Sequence, residues 1–320
     1  MIRRNKQKIS TLLYSLHNDS CLQGVAMKKY QIFSDSACDT PQELLNEFNI
    51  DLIPFYVTFD QETYYKETVE ITPSEFYQTL KNKRVFSQTS LPSVQDYINK
   101  FKPVIQEGKD VLCLCLSQKF SGSYQSAVNA KEILEDIYKE AKITVIDSIQ
   151  ATAGQGLLLL QAGRMQKSGY SLQDCAKKIE ELKSTARIMF TVDDLEYLSS
   201  GGRIGKVASL AGNMLNLKPL IKLKEAELIP YTKVRGRLKA LDKILSMVEE
   251  HFHDAKANYK DYDFCLANAT TMEDALHMKH RVESLIGRTI TTPIFQIGAT
   301  IGTYVGPGAL GVCFVKRYDA

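Results

Sequence analysis

From Tyr30 to about Val192 the chain alternates short apolar runs with longer stretches of helical period, and the runs 30–34, 50–57, 111–116, 143–146 and 187–192 predict strands. Strands alternating with helices are the signature of a mostly parallel sheet with flanking helices. The punctuation agrees. Thr40-Pro41 and Thr72-Pro73 each set a capping hydroxyl before a proline at the first helical position, and Gly108 and Gly169 follow helical stretches as stops. Asp35-Ser36, Ser117 and Asp147-Ser148 fall just after apolar strands, at the carboxyl edge where open α/β sheets bind ligands.

The second half has another rhythm. A glycine-rich loop at 201–205 precedes a hairpin from Pro219 to Val234, then helix, strand, helix and two closing strands. This predicts a smaller α/β domain with a mixed sheet. The expected division is an extension at 1–27, an N-terminal α/β domain at 28–190 and a C-terminal α/β domain at 191–320. The boundary falls in a strand-to-loop passage without a proline- or serine-rich linker.

Composition narrows the class. With 320 residues, 44% hydrophobic and 24% charged, the chain can bury one large core or two moderate ones, and two domains is the better expectation. Seven cysteines (21, 38, 113, 115, 175, 265 and 313) form an odd set without a CxxC pair, most inside apolar runs such as Val111–Leu116. They read as reduced core residues of a cytoplasmic protein. A zinc site is not expected, because His277 and His280 are the one close helical histidine pair and no cysteine pair lies near them. That pair reads as a solvated helix face.

Net charge is +3, and residues 1–26 account for it, with Arg3, Arg4, Lys6 and Lys8 against Asp19. The other 294 residues balance at 36 basic and 36 acidic, so the broad positive field of a nucleic-acid binder is missing. No run approaches the roughly 20 apolar residues that span a bilayer, and no secretory signal pattern is present. Met27-Lys28-Lys29 leads into the first strand, so residues 1–26 read as an extension, disordered or untranslated. The alternative is a basic amphipathic membrane-surface helix, for which Leu12, Leu13 and Leu16 offer a short apolar face.

Catalytic signatures fail one by one. Ser200-Gly-Gly-Arg-Ile-Gly-Lys-Val207 lacks the first glycine and the Mg²⁺-binding hydroxyl of a P-loop, and Gly306-Pro-Gly-Ala-Leu-Gly311 leads into a terminal strand instead of a helix. No GxSxG elbow occurs, and no histidine stands near the serine clusters to serve as their base. What remains is hydroxyls and glycines: Gln88-Thr-Ser-Leu-Pro-Ser93, Phe120-Ser-Gly-Ser-Tyr-Gln-Ser126, and Asp147-Ser148 leading into Gly154-Gln-Gly156. Hydroxyl-rich turns at helix starts can hold a carboxylate or phosphate through hydroxyls and unpaired backbone N–H groups. Ser93, Ser121 and Ser123 can equally be plain caps. Arg203 in its glycine loop and Lys233-Val-Arg-Gly-Arg237 can face an anion, or Arg235 and Arg237 can be solvated charges at a helix start.

Taken together the motifs resemble the DegV family of bacterial fatty-acid-binding proteins, which includes the lipid-carrying subunits of fatty acid kinase. The matching segments are Asp35-Ser-Ala-Cys-Asp39, Thr89–Ser93, Phe120–Ala127, Asp193–Lys206, Lys233–Arg237 and Ile301–Gly311. Coverage runs from about residue 28 to the C-terminus, and Asp193–Lys206 is the most specific segment. The resemblance implies two α/β domains, a fatty acid such as palmitate or oleate with its acyl chain in a tunnel of the second, and its carboxylate at the domain interface. It implies a head-group site at Thr89 and Ser121 with Ser90 and Gly122 beside them, and Arg203, Arg235 and Tyr304 near the head group or facing a partner. It further implies no cofactor and a non-catalytic role: a separate ATP-binding kinase subunit phosphorylates the carboxylate, and the acyl phosphate goes to membrane acyltransferases of phospholipid synthesis.

Tyr304 stands where many members carry histidine, and Leu91 where glutamine is common. Tyrosine can donate a hydrogen bond but cannot become a cation. The apolar stretches Val207–Leu217 and Ile294–Ile301 can line a tunnel or form plain core. Two other readings stay open: a phosphatase or acyl hydrolase using Ser121 or Asp35, and a regulatory protein whose lipid is structural.

Overall fold

The computed structural model describes residues 29–83, 85–211 and 216–320. The expectations for the basic extension at 1–27, Cys21 among them, lie outside these residues. Among the described residues the strands are β1 (Tyr30–Asp35), β2 (Ile50–Ile53), β3 (Tyr56–Thr58), β4 (Tyr64–Lys66), β5 (Gln88–Ser90), β6 (Asp110–Cys115), β7 (Ile143–Asp147), β8 (Arg187–Thr191), β9 (Leu217–Lys224), β10 (Glu227–Arg235), β11 (Tyr262–Asn268), β12 (Phe295–Gln296) and β13 (Leu310–Lys316). The helices are α1 (Gln42–Glu47), α2 (Pro73–Lys83), α3 (Val94–Gln106), α4 (Ser123–Ile137), α5 (Thr152–Lys167), α6 (Leu172–Lys183), α7 (Glu196–Ser200), α8 (Arg237–Asp254), α9 (Met272–Ile286) and α10 (Ala299–Val305).

The expected parallel sheet forms in the order β2-β1-β6-β7. Its central strands β1 and β6 are buried along their whole length, because helices cover both faces. Phe33, Val111 and Cys113 turn to one face, where they meet Tyr97 and Phe101 of α3 and Ala127 and Leu134 of α4. Ile32, Leu112 and Leu114 turn to the other, onto α5.

Helix α5 is buried on every side from Thr152 to Gly163, with Leu157, Leu158, Leu159 and Leu160 at most 1% exposed. Such a helix needs cover on every side. It has it: α5 packs on β1 and β6 of the first sheet and on β11 and β13 of the second. Gly156 lets α5 come close to β12 and to the turn after β1, since a Cβ there would run into the Phe295 ring and the Cys38 carbonyl.

The second sheet is mixed, in the order β10-β9-β8-β13-β11-β12, with β11 and β12 parallel and the other pairs antiparallel. Along β11 and β13, Phe264, Leu266, Val312 and Phe314 face α8 and α9, whereas Cys265, Ala267 and Cys313 face α5. Large residues thus crowd one face and small ones the other. A third sheet, β4-β3-β5, is a small antiparallel one.

Three expectations need correction. The strand expected at 187–192 forms as β8, but it pairs antiparallel with β9 and β13 in the second sheet. An apolar run shows the same pattern in either sheet, so periodicity could not assign its partner. The run 50–57 splits at Pro54, which lacks a backbone donor, and β3 leaves the parallel sheet for the small one. Thr40 is not a cap: helix α1 starts from Pro41 without a side-chain cap. Thr72 does cap α2, exchanging hydrogen bonds with Glu75. Between the two closing strands the chain inserts α10, which periodicity over so short a span does not reveal.

The described cysteines at 38, 113, 115, 175, 265 and 313 are buried and free. Among the described residues no helix is long and apolar enough to cross a membrane.

Candidate functional site

The three hydroxyl and glycine segments reach one place by different routes. Strand β5 alternates, so Thr89 turns inward while Gln88 and Ser90 stay exposed. The loop after β6 delivers Ser121 and Gly122 to the start of α4, where the Ser123 N–H donates to the Ser121 hydroxyl at 3.2 Å. Helix α10 brings Tyr304, whose hydroxyl shares a 2.7 Å hydrogen bond with Thr89. The loop after α7 brings Arg203, with its guanidinium 5.0 Å from the centre of the Tyr304 ring. Arg203 also donates to the carbonyls of Gly201 at 2.6 Å and Phe120 at 3.3 Å.

These side chains surround a cavity of about 150 Å³ that opens between the two sheets. Its polar lining includes Thr89, Ser121, Arg203 and Tyr304, and its walls are apolar, with Phe55, Leu116, Ile188, Phe190, Leu223 and Ile297 among them. The apolar part of this wall offers no polar partners to hold water and suits a hydrocarbon. The Thr89 and Tyr304 hydroxyls, bonded to each other, and the Arg203 guanidinium against the Tyr304 ring can orient a single charged or hydrogen-bonding head; Thr152 and Thr300 also line the cavity, the Thr300 hydroxyl bonded to Glu67.

Of the residues singled out from sequence, Thr89, Ser121, Gly122, Arg203 and Tyr304 line this cavity together. Ser90 does not, because the strand alternation turns it to solvent. Arg235 is exposed at the end of β10, opposite Leu217, and does not line the cavity. Arg237 is committed elsewhere, donating to Asp274, Thr271 and the Gly308 carbonyl. Of the two apolar stretches, Ile294–Ile301 supplies Ile297 and Ile301 to the wall, and Val207–Leu217 supplies no described residue. Leu91 does line the cavity and packs toward Gly122, where a Cβ would stand 3.3 Å from its Cδ2. The sequence marks Leu91 only as a departure from the family pattern, with nothing to say that it faces a ligand.

Two buried carboxyls shape the site from behind. Asp35 is fully buried and accepts from the Leu116 N–H at 2.8 Å, the Ser123 hydroxyl at 2.7 Å and the Gln155 amide at 3.0 Å. It does not line the cavity; it ties the end of β1 to the turn carrying Ser121 and Gly122, a positioning role. Glu67 accepts from the Thr300 N–H at 2.8 Å, the Thr300 hydroxyl at 2.6 Å and the Ser36 hydroxyl, and so anchors the start of α10. Asp39 accepts from the Gly298 N–H at 2.9 Å beside it. Loss of water, and then the neighbouring Glu67, hold the Asp39 pKa well above the usual carboxylate range. Among the described residues no group of three or more metal-type ligands forms.

Burial raises the Asp35 pKa from 3.8 to about 6, against the three hydrogen bonds that lower it. The folded chain therefore holds a proton that the unfolded chain releases between those values. This contribution favours folding below about 3.8 and is lost as pH rises through about 6. In urea unfolding at pH 7 and pH 4, the stability of the native protein minus that of Asp35→Asn should shift toward the native protein by about 2 kcal/mol on acidification, since most but not all of the roughly two-unit pKa difference, at about 1.4 kcal/mol per unit, is realised by pH 4. A difference that stays flat between the two pH values would show that Asp35 titrates normally.

A family model described as "Uncharacterised protein, DegV family" matches residues 29–317. The chain is 31% identical over 293 residues to a DegV domain-containing protein of Clostridium perfringens, covering 90% of this chain and 98% of the relative. Among solved structures it is similar to a stearic acid-binding protein from Eubacterium ventriosum, with TM-score 0.86, 35% identity, and 91% and 99% of the two chains covered. It is also similar to a fatty-acid-binding DegV family protein from Thermus thermophilus, with TM-score 0.80, 29% identity, and 90% and 99% covered.

Proposed function

The chain belongs to the DegV family, and from that premise we propose that it binds one long-chain fatty acid, acyl chain in the cavity and carboxylate among Thr89, Ser121, Gly122, Arg203 and Tyr304. The observation that carries this reading is the pairing of an apolar cavity with a polar cluster at one place on its wall. Each buried CH₂ contributes about 0.8 kcal/mol, so the tail dominates affinity and the head group sets orientation. The solved relatives named as stearic acid- and fatty-acid-binding proteins support the same ligand class.

The test is direct. The purified protein is denatured, extracted and assayed by mass spectrometry, and a fatty acid is the expected result. Recovery of none, with no binding of added palmitate or oleate, sinks the proposal. In the binding assay Thr89→Ala combined with Ser121→Ala should weaken affinity about thirtyfold, from two hydrogen bonds of about 1 kcal/mol each. Unchanged affinity would mean that the head group sits elsewhere.

The finer part of the reading concerns the bound carboxylate. The protein presents it to a separate ATP-binding kinase subunit, then carries the acyl phosphate to membrane acyltransferases of phospholipid synthesis, touching the membrane surface transiently. What supports this is an open hollow that shares Ser121, Gly122 and Arg203 with the cavity and adds Lys119 and Lys206, both paired with Glu227. An excess of positive charge beside the head group suits a phosphoryl group. Acyl-phosphate formation that a kinase subunit and ATP support only when this protein is added is the expected outcome. Absence of any stimulation would leave the lipid as a structural or regulatory ligand.

A further inference from the structure

The fatty-acid reading leaves open what limits the length of the chain, and the register of the second sheet speaks to that. One cross-strand row runs through Phe190 of β8, Gly311 of β13, Ala267 of β11 and Phe295 of β12. Register partners project to the same face of a sheet. Phe190, Gly311 and Ala267 line the cavity, and Phe295, fully buried on the outermost strand, is not part of the lining. The row therefore has a trough where its side chains are small, closed on the far side by a phenylalanine.

The other end of the cavity is open. Leu228 of β10 lines both the cavity and the outer hollow, together with Ser121, Gly122 and Arg203. The lining thus crosses from β10 to β11, and the intervening strands β9, β8 and β13 all contribute through Leu223, Ile188 and Gly311. Four inter-strand steps at about 4.8 Å make about 19 Å. An extended hydrocarbon advances about 1.25 Å per carbon from ordinary C–C geometry, so the lining runs the length of about 15 carbons, and the cavity of about 150 Å³ has to widen around a chain that long.

We propose that Ala267 is the residue that sets acyl-chain length, its small side chain leaving the space in front of Phe295 where the ligand's terminal methyl comes to rest. The proposal rests on the fatty-acid reading above. Ala267 is 2% exposed, stands beside Phe295, and presents one carbon to the cavity where Cys265, two residues earlier on the same face, lies outside the lining. A larger side chain here would occupy space at the end of the chain and leave the polar cluster untouched.

The experiment measures the affinity of saturated fatty acids from ten to eighteen carbons for the full chain, Ala267→Leu and Ala267→Gly. Leucine reaches about 2.5 Å beyond the alanine methyl, the length of about two chain carbons, so the optimum should shorten by about two carbons, with the sixteen- and eighteen-carbon acids weakened about tenfold and the twelve-carbon acid within twofold of native. Glycine opens the same wall and should move the optimum about one carbon longer. Identical length profiles in all three proteins would overturn the inference, and so would an equal loss at every length in a variant that melts like the native protein. Failure of the native chain to bind any of the acids would instead overturn the fatty-acid reading itself.

Discussion

Replacing Glu67 with alanine is expected to destabilise the folded chain by about 4 kcal/mol in urea unfolding, because three buried donors lose their acceptor at about 1–3 kcal/mol each. Those donors are the Ser36 hydroxyl and the N–H and hydroxyl of Thr300, and both residues are 1% exposed. Water cannot substitute readily at such positions. The partners are neutral, so Glu67 acts as a hydrogen-bond hub joining the end of β1, the turn after β4 and the start of α10. Glu67→Gln keeps one carbonyl and can turn its amide toward the hydroxyls, so roughly half the loss is expected. Because α10 carries Tyr304, ligand affinity should fall with stability in the alanine variant. A loss below 1 kcal/mol would mean that the hub is dispensable.

Gly201→Ala is expected to weaken fatty-acid binding on the order of a hundredfold while leaving stability within about 2 kcal/mol of native. A Cβ at this position would collide with the Tyr304 ring. Carbon atoms rest about 3.5–4.0 Å apart, so the ring must shift by an ångström or more, and the 2.7 Å bond between Tyr304 and Thr89 cannot persist. Backbone strain is not the cause, since Gly201 has φ −79, which alanine adopts freely. The Arg203 guanidinium over the same ring is displaced too. Tyr304→Phe separates the effects: it removes the hydroxyl and keeps the ring, and about a tenfold loss is expected. Wild-type affinity in Gly201→Ala, measured by titration with oleate, would show that the ring position does not matter for capture.

Of the two residues, the sequence marks Gly201 only as part of a glycine-rich loop and does not single out Glu67. Asp35 was legible as a polar residue after a strand, yet its three donors come from residues 81 to 120 positions away. Its burial makes it a tether, a role that the same aspartate in an open edge would not have. Glu67 has no motif around it at all. Ser90 shows the reverse case: the two-residue period of β5 already implied that Thr89 and Ser90 face opposite ways, and resemblance alone grouped them.

By itself the sequence determined the local layer of this protein. Apolar runs of strand length, the Thr72 and Ser93 caps and the glycine stops follow from backbone and side-chain preferences within a few residues, and they appear where expected. The cross-β partners of β8, the trough at Gly311 and Ala267, and the meeting of Thr89 with Tyr304 across 215 positions were decided by tertiary structure. Pairing and burial depend on which surfaces pack together through space, and an apolar run carries the same period whichever surface it meets.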